Sequence, residues 1–178
     1  MTSSVVREPG VREVLEAQPT LAVLLINTRA AEVMVPLVSP PLLREHAVGL
    51  DLILEGFLLH HGIPRHVAPI ELGASVLAGD YCYAQGLVRV AATGDLAAVE
   101  ALSDLVALSA AAVAADRSQD LLPLWRATAA AVADEGGPDM AERVRQARAA
   151  LREGDPDPIH DIAAGLSPAP ALEEALPR

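Results

Sequence analysis

The stretch from residue 70 to residue 94 constrains the fold of this chain more than any other. It is typical of one long helix that is apolar on almost every side, and a single acid, Asp80, follows Gly79 in its middle. A helix that is apolar all round must be covered by other helices or by a second subunit. Because an unpaired carboxylate inside such a helix is costly, we expect Asp80 to have a partner.

The composition around this stretch is that of a helical protein. The chain has 178 residues, enough for one domain with a sizeable core. Hydrophobic residues make up 52% of it and aromatic residues only 2%, so the apolar content is mainly Ala, Leu and Val. Ala and Leu are strong helix formers, and the alternation typical of strands is nearly absent. We predict an all-α fold, an antiparallel helix bundle with the 70–94 helix at its centre.

Charge and cysteine content exclude several functions. The net charge is −11 and all 13 basic residues are arginines, which argues against nucleic-acid binding. Cys82 is the only cysteine, so no internal disulfide is expected. The first residues lack a signal-peptide pattern, and the longest uncharged apolar run, 105–115, is too short to span a bilayer. We expect a cytoplasmic protein without a transmembrane segment.

Proline, glycine and capping residues divide the chain into helices. We expect one helical domain at 1–166 with its core at 20–153, and a mobile tail at 167–178. Asp95 follows Gly94 and is the expected N-cap of a helix. Asp51 and Glu55 are assigned to the polar side of their helix. The predicted helices are 11–17, 21–35, 39–61, 70–94, 96–115, 119–134, 138–153 and 159–165, with Ser39 and Pro40 opening the third.

Three histidines, His60, His61 and His66, form the first candidate site. Adjacent residues on a helix point about 100° apart, so His60 and His61 do not converge on one metal by themselves. His66 could join one of them from the following loop, but no HExxH or similar spacing is present. We favour the interpretation that these histidines lie at a helix C-terminus and interact favourably with its dipole.

Acidic residues give two further candidates. Asp155, Asp157 and Asp161 lie among prolines and are interpreted as a solvated turn. Asp80 has two interpretations, a structural hydrogen bond between helices, which we favour, and a position facing a ligand pocket. The chain has no nucleophile signature such as GxSxG and no glycine-rich phosphate loop.

Residues 74–81, ASVLAGDY, continuing to Ala84, resemble the A-x-L-x-G-D-Y-L-x-x-x-A helix of trans-isoprenyl diphosphate synthases, the polyprenyl synthetase family. Residues 46–60, HAVGLDLILEGFLLH, are similar to the family helix that ends in L-x-H-D-D-x-x-D. Residues 122–133, LPLWRATAAAVA, are similar to the family helix that carries K-T-A-x-L. The resemblance covers roughly residues 40–137 and implies a truncated isoprenoid synthase fold.

The departures from the family pattern concern the metal chemistry. Where the family has its first aspartate-rich motif, which binds Mg²⁺, residues 60–65 read HHGIPR. The arginine pair that follows in the family and the lysine of its K-T pair are missing. The second aspartate-rich motif would fall near His160 and Asp161, where at most one aspartate remains. The resemblance therefore implies no catalytic or metal-binding residue here, and Mg²⁺ only if a catalytic partner supplies the site.

The resemblance implies a non-catalytic chain, a regulatory or chain-length subunit that pairs with a complete prenyl diphosphate synthase. The family dimerises through the helices that correspond to residues 76–90 and 105–115, which implies that this chain is not a monomer. Whether it forms a homodimer or a heterodimer stays open. A stand-alone module that binds an isoprenoid or another lipid is the alternative. An enzyme of different chemistry, using His60, His61 and Asp80, ranks third. The candidate ligand-binding residues are His60, His61, Arg65 and Asp80.

Overall fold

The computed structural model describes residues 10–25, 44–68, 70–134 and 139–177. Helix accounts for 76% of these residues and none of them is in a strand, which confirms the predicted all-α class. Of the predicted helix 21–35, the structure describes residues 21–25, where the helix begins at Pro19 and already ends at Ala22. The rest of that helix, the start at Ser39 and Pro40 and the start at Pro138 lie outside the described residues.

The helices begin and end near the glycine, proline and capping residues of the sequence. Asp95 accepts a hydrogen bond from the backbone N–H of Ala98 at 2.9 Å, which confirms the predicted N-cap. The segment predicted to begin at residue 119 opens with a 3-10 turn, Ser118–Asp120, before the α-helix starts. The helices are α1 Val11–Glu16, α2 Pro19–Ala22, α3 Arg44–His61, α4 Leu72–Ala92, α5 Leu96–Ala114, α6 Leu121–Val132, α7 Met140–Arg152, α8 Asp157–Ala164 and α9 Pro170–Ala175.

Helices α3 and α4 pack together through four glycines, which we call the glycine seam: Gly49, Gly56, Gly79 and Gly86. The two glycines of each helix are seven residues apart and therefore lie on one side of it. A Cβ atom added at Gly86 would lie 2.7 Å from the carbonyl oxygen of Gly49, and one added at Gly56 would lie 2.9 Å from that of Gly79. The backbones of the antiparallel pair are therefore in direct contact.

The central helix of the described structure is α3, and the expectation that the 70–94 helix is central is corrected here. One apolar cluster joins α3 to α5–α8 and includes Phe57 and Trp125. A second cluster joins α3 to α1 and α4 and includes Leu52 and Cys82. Helix α3 is buried between the two, whereas α4 covers one side of α3 and leaves its own far side exposed.

The C-terminal segment differs from the predicted mobile tail. Residues 170–175 form α9, and Leu172 and Leu176 are buried in the larger cluster. The guanidinium of Arg126 on α6 donates to the carbonyl oxygens of Leu166 and Ser167 at 2.7 and 2.6 Å. Two buried leucines and this clamp hold the segment, features that its Pro- and Ala-rich composition does not reveal.

Helix α5 is the one described helix whose length and composition would allow it to cross a bilayer. Apolar core helices of soluble proteins pass the same test, and 39% of its most apolar window is buried inside the fold. The expectation that the chain lacks a transmembrane segment stays a prediction.

The glycine seam predicts opposite effects for two glycines of α4. Gly86→Ala should lower the free energy of unfolding by about 1–3 kcal/mol, because its Cβ would lie 2.7 Å from both Gly49 O and Ile53 Cγ1. Gly73→Ala should raise it by up to about 1 kcal/mol, because nothing lies within 4 Å of that Cβ and alanine favours helix. Urea unfolding followed by circular dichroism measures both; equal effects would contradict the seam.

Candidate functional site

His60, Asp80 and Tyr83 meet where the end of α3 crosses α4. The imidazole of His60 lies over Gly79, where a side chain at that glycine would collide with it. It stacks on the ring of Tyr83, with 5.2 Å between centroids and 10° between planes. Its Nε2 lies 3.3 Å from Oδ1 of Asp80, without the alignment of a hydrogen bond. The favoured interpretation, a structural hydrogen bond between helices, therefore holds only in part: the contact joins α3 to α4, but it is not a hydrogen bond.

Asp80 is solvent-exposed, contrary to the expectation of an acid enclosed within covered helices. Its side chain is 63% exposed, so the carboxylate keeps most of its water and does not incur the cost of burial. Burial and the nearby Asp80 charge raise the pKa of the Tyr83 phenol, so that hydroxyl stays protonated at neutral pH. His60 is the described partner of Asp80.

His61 faces a different part of the core. Its ring lies 5.1 Å from the ring of Phe57, which in turn contacts Trp125. Burial, with His60 close by, lowers the pKa of His61. His61 therefore packs on the apolar side of α3, while His60 points to α4.

Glu55 is buried, which corrects its assignment to the polar side of α3. Its carboxylate accepts hydrogen bonds from the backbone N–H groups of Arg65, His66 and Val67, at 2.8–3.2 Å. Burial raises the pKa of Glu55 although these bonds oppose the shift. The carboxylate thus holds the 62–68 loop against the helix that precedes it.

Arg65 and His66 occupy the same buried region. Asp51, also assigned to the polar side of α3, is fully buried, and its Oδ1 lies 3.9 Å from Nη1 of Arg65. His66 is 2% exposed and neither ring nitrogen has a hydrogen-bond partner. Burial, and secondarily the positive charges of Arg65 and Arg12, lower the pKa of His66 to about 4. Arg65 is therefore partly engaged inside the fold.

The residues around His160, where the resemblance would place a second aspartate-rich motif, make structural contacts. His160 on α8 binds the buried carboxylate of Asp120 through its Nε2, at 2.8 Å. Asp161 is exposed, and Asp155 accepts a hydrogen bond from the backbone of Asp157 just before α8 begins. All three acids are exposed, as the interpretation of a solvated turn expects, but Asp157 and Asp161 lie within α8 and not in a turn.

Among the described residues, no group of three or more His, Cys, Asp or Glu side chains is arranged to hold a metal ion. His60 and His61 face different neighbours, and His66 lies enclosed in the loop. Of the four predicted ligand-binding residues, the structure brings only His60 and Asp80 into contact.

The far side of α4 carries several exposed apolar residues, and we call it the outer face of α4. Leu77 and Val88 on it are 72% and 61% exposed. It continues toward Leu96 at the start of α5, which is 76% exposed. The exposed residues that define it are Gly73, Val76, Leu77, Asp80, Ala84 and Val88.

A cavity of about 540 Å³ lies between the turn that follows α5 and the C-terminal segment. The turn after α5 supplies Asp116 and Gln119, and the C-terminal segment supplies Glu173 and Leu176. The cavity is open to solvent and contains none of the predicted site residues. An isoprenoid tunnel next to His60 receives no support from it.

Comparison with known proteins finds no matching family model, no matching curated protein and no matching solved structure. The resemblance to prenyl diphosphate synthases therefore stands on the quoted motifs alone.

Sequence reasoning missed two features that set this geometry. The seven-residue spacing of Gly49 and Gly56, repeated by Gly79 and Gly86, was visible and indicates a close helix pair. The burial of Glu55 had no signal in the sequence, because a buried and a solvated acid follow the same helical spacing.

His66 should make the fold sensitive to acid. A histidine whose pKa falls from about 6.5 to about 4 on folding contributes stability above pH 6.5 that is lost as the pH falls toward 4. Between pH 7.5 and pH 5 this loss is at most about 2 kcal/mol. His66→Gln should lose correspondingly less stability than the wild type between these two pH values in urea unfolding.

Two comparisons make this test specific. The raised pKa of Glu55 has the opposite effect on stability, because the stability that this group contributes is lost as the pH rises. Glu55 is present in both the wild type and His66→Gln, so its effect is common to the two proteins. Val67→Ala removes a neighbouring buried apolar group and should shift stability equally at both pH values. An unchanged pH dependence in His66→Gln would contradict the assignment.

Proposed function

We propose that this chain is a non-catalytic helical subunit, similar to prenyl diphosphate synthases, that pairs with a complete synthase through the outer face of α4. The supporting observation is the exposed apolar surface on the helix that carries the GDY motif. The partner would supply the Mg²⁺ site and the chemistry, and this chain would modulate product length or activity.

The outer face of α4 supports pairing because it is apolar without contributing to this chain's core. Helix α4 is buried on the side of Ala78, Gly79, Cys82 and Gly86, toward α3. Leucine and valine on the opposite side gain free energy only if another surface covers them, about 25 cal/mol for each Å² of apolar area buried. Contiguous exposed apolar surface of this kind marks interaction sites.

The side chains near the expected metal motif support a non-catalytic role. Glu55 accepts three backbone hydrogen bonds, Asp51 lies near Arg65, and His61 packs on Phe57. Ionising an allylic diphosphate requires metal and cationic groups that neutralise the leaving group in the transition state. The buried carboxylates next to α3's end are bound within the fold, so they are not directed toward such a leaving group.

The alternative, a stand-alone isoprenoid-binding module, has less support. The glycine seam brings the backbones of α3 and α4 into contact, so no chain-like ligand fits between these two helices. The cavity near α9 is open to solvent and its lining includes the acids Asp116 and Glu173, so it is not an enclosed apolar tunnel.

The activity prediction follows from the proposed role. The chain alone should give no product from labelled isopentenyl diphosphate, Mg²⁺ and allylic primers of several lengths. Adding a complete synthase from the same source should produce a product, or a product of different length, that the synthase does not make alone. Product from the lone chain would refute the non-catalytic assignment. If the chain alone gives no product and its addition leaves the products of the synthase unchanged, the binding module is favoured.

The interface prediction uses two equally exposed apolar residues. Leu77→Glu places a charge on the outer face of α4 and should weaken the complex with the synthase at least about tenfold, because burying an unpaired charge costs several kcal/mol. Ile63→Glu, in the 62–68 loop, is the matched control: Ile63 is 82% exposed but lies off that face. Size-exclusion chromatography with light scattering measures the complex, and circular dichroism confirms the fold. Equal behaviour of the two variants would contradict this interface.

A further inference from the structure

Asp80 is the charged group at the centre of an otherwise apolar surface. Between Leu72 and Ala92 the only other charged side chain is Arg89. Arg89 is nine residues further along, which at 100° per residue places it on the opposite side of the helix. Within α4's outer face, the carboxylate of Asp80 is therefore the single formal charge, 63% exposed, with His60 at its edge.

The position of Asp80 along α4 determines how a second copy would meet it. Helix α4 runs from Leu72 to Ala92, so Asp80 is two residues from the midpoint. If the twofold axis of a dimer is perpendicular to α4, the two α4 helices run antiparallel, and pairing along their full length would bring both Asp80 carboxylates within about 6 Å along the helix axis. If the twofold axis runs along α4, the helices are parallel and the two Asp80 residues lie at the same level. Sliding antiparallel helices to separate the acids would uncover part of each apolar face.

Facing carboxylates inside a new interface repel each other and lose water together. The same carboxylate attracts a cation on a partner, and the electrostatic contact strengthens as the surrounding apolar residues exclude water. The net charge of −11 adds long-range repulsion between two copies and attraction to a basic surface.

We propose that Asp80 makes the outer face of α4 selective for a different chain: a helix with small and apolar residues that carries a lysine or arginine opposite Asp80, rather than a second copy of this protein. The inference rests on the proposed function in that it concerns the same surface, and it resolves the choice between homodimer and heterodimer in favour of the heterodimer. Asp80 acts here as a specificity determinant and not as a catalytic residue.

A charge-reversed copy of the chain serves as the partner in the test. Wild type alone and Asp80→Arg alone should each be monomeric at pH 8 and low ionic strength, since like charges would face each other. An equimolar mixture should form a dimer, with self-association of either component at least about tenfold weaker. Asp80→Asn alone should also self-associate more strongly than the wild type. Sedimentation velocity measures all four samples, and added salt should weaken the mixed dimer.

The control is Glu153→Arg, which makes the same change in charge at an exposed position beyond the end of α7; mixed with the wild type it should give no dimer. A mixture of wild type and Asp80→Arg that stays monomeric, or a wild type that dimerises as strongly as that mixture, would overturn the inference. Binding of wild type to the complete synthase is measured separately. If the mixture dimerises and the synthase does not bind, the proposed function fails and the selectivity of the surface stands. If the synthase binds and the mixture stays monomeric, the selectivity fails alone.

Discussion

The contact between the backbones of α3 and α4 is the constraint on which the rest of this structure depends. Four glycines, seven residues apart on each helix, remove the side chains that would keep the two helices at an ordinary separation. This contact fixes the register of the pair. The register places Gly79 under His60 and brings Asp80 and Tyr83 beside the end of α3. The candidate site is therefore a consequence of helix packing.

Because α3 is central, two acids that it carries, Asp51 and Glu55, are buried inside the fold. Their partners come from the segment that follows α3 in the chain. The loop that follows α3 turns back along the helix, and three consecutive N–H groups of that loop bind Glu55. Buried backbone donors and a buried carboxylate would each be costly alone, and together they satisfy one another. The loop also brings Arg65 toward Asp51. The same arrangement encloses His66, whose ring nitrogens are left without partners.

Composition and punctuation made the helices predictable, because alanine and leucine favour helix and residues such as Gly94 and Asp95 end one helix and begin the next. What covers each helix was not predictable in the same way. Asp51 and Glu55 follow the spacing of a solvated stripe, and only the returning loop shows that they are buried. The contact of His60 with Asp80 links residues on two helices, so it depends on their register. The seven-residue glycine spacing is the one sequence signal that indicates this register.

His61 and Gly62, at the end of α3, stand where the resemblance would place aspartates. Both are exposed to solvent on one side and contact apolar side chains on the other. His61 lies against Phe57, which contacts Trp125 in the larger core cluster. A Cβ added at Gly62 would lie 2.9 Å from Cδ2 of Leu58, a fully buried side chain that would have to shift. An aspartate at residue 61 would lose the ring contact with Phe57, and one at residue 62 would displace the end of the Leu58 side chain. Because both positions are exposed, the carboxylates themselves would keep contact with solvent. The packing at the end of α3 is therefore matched to the residues that stand there.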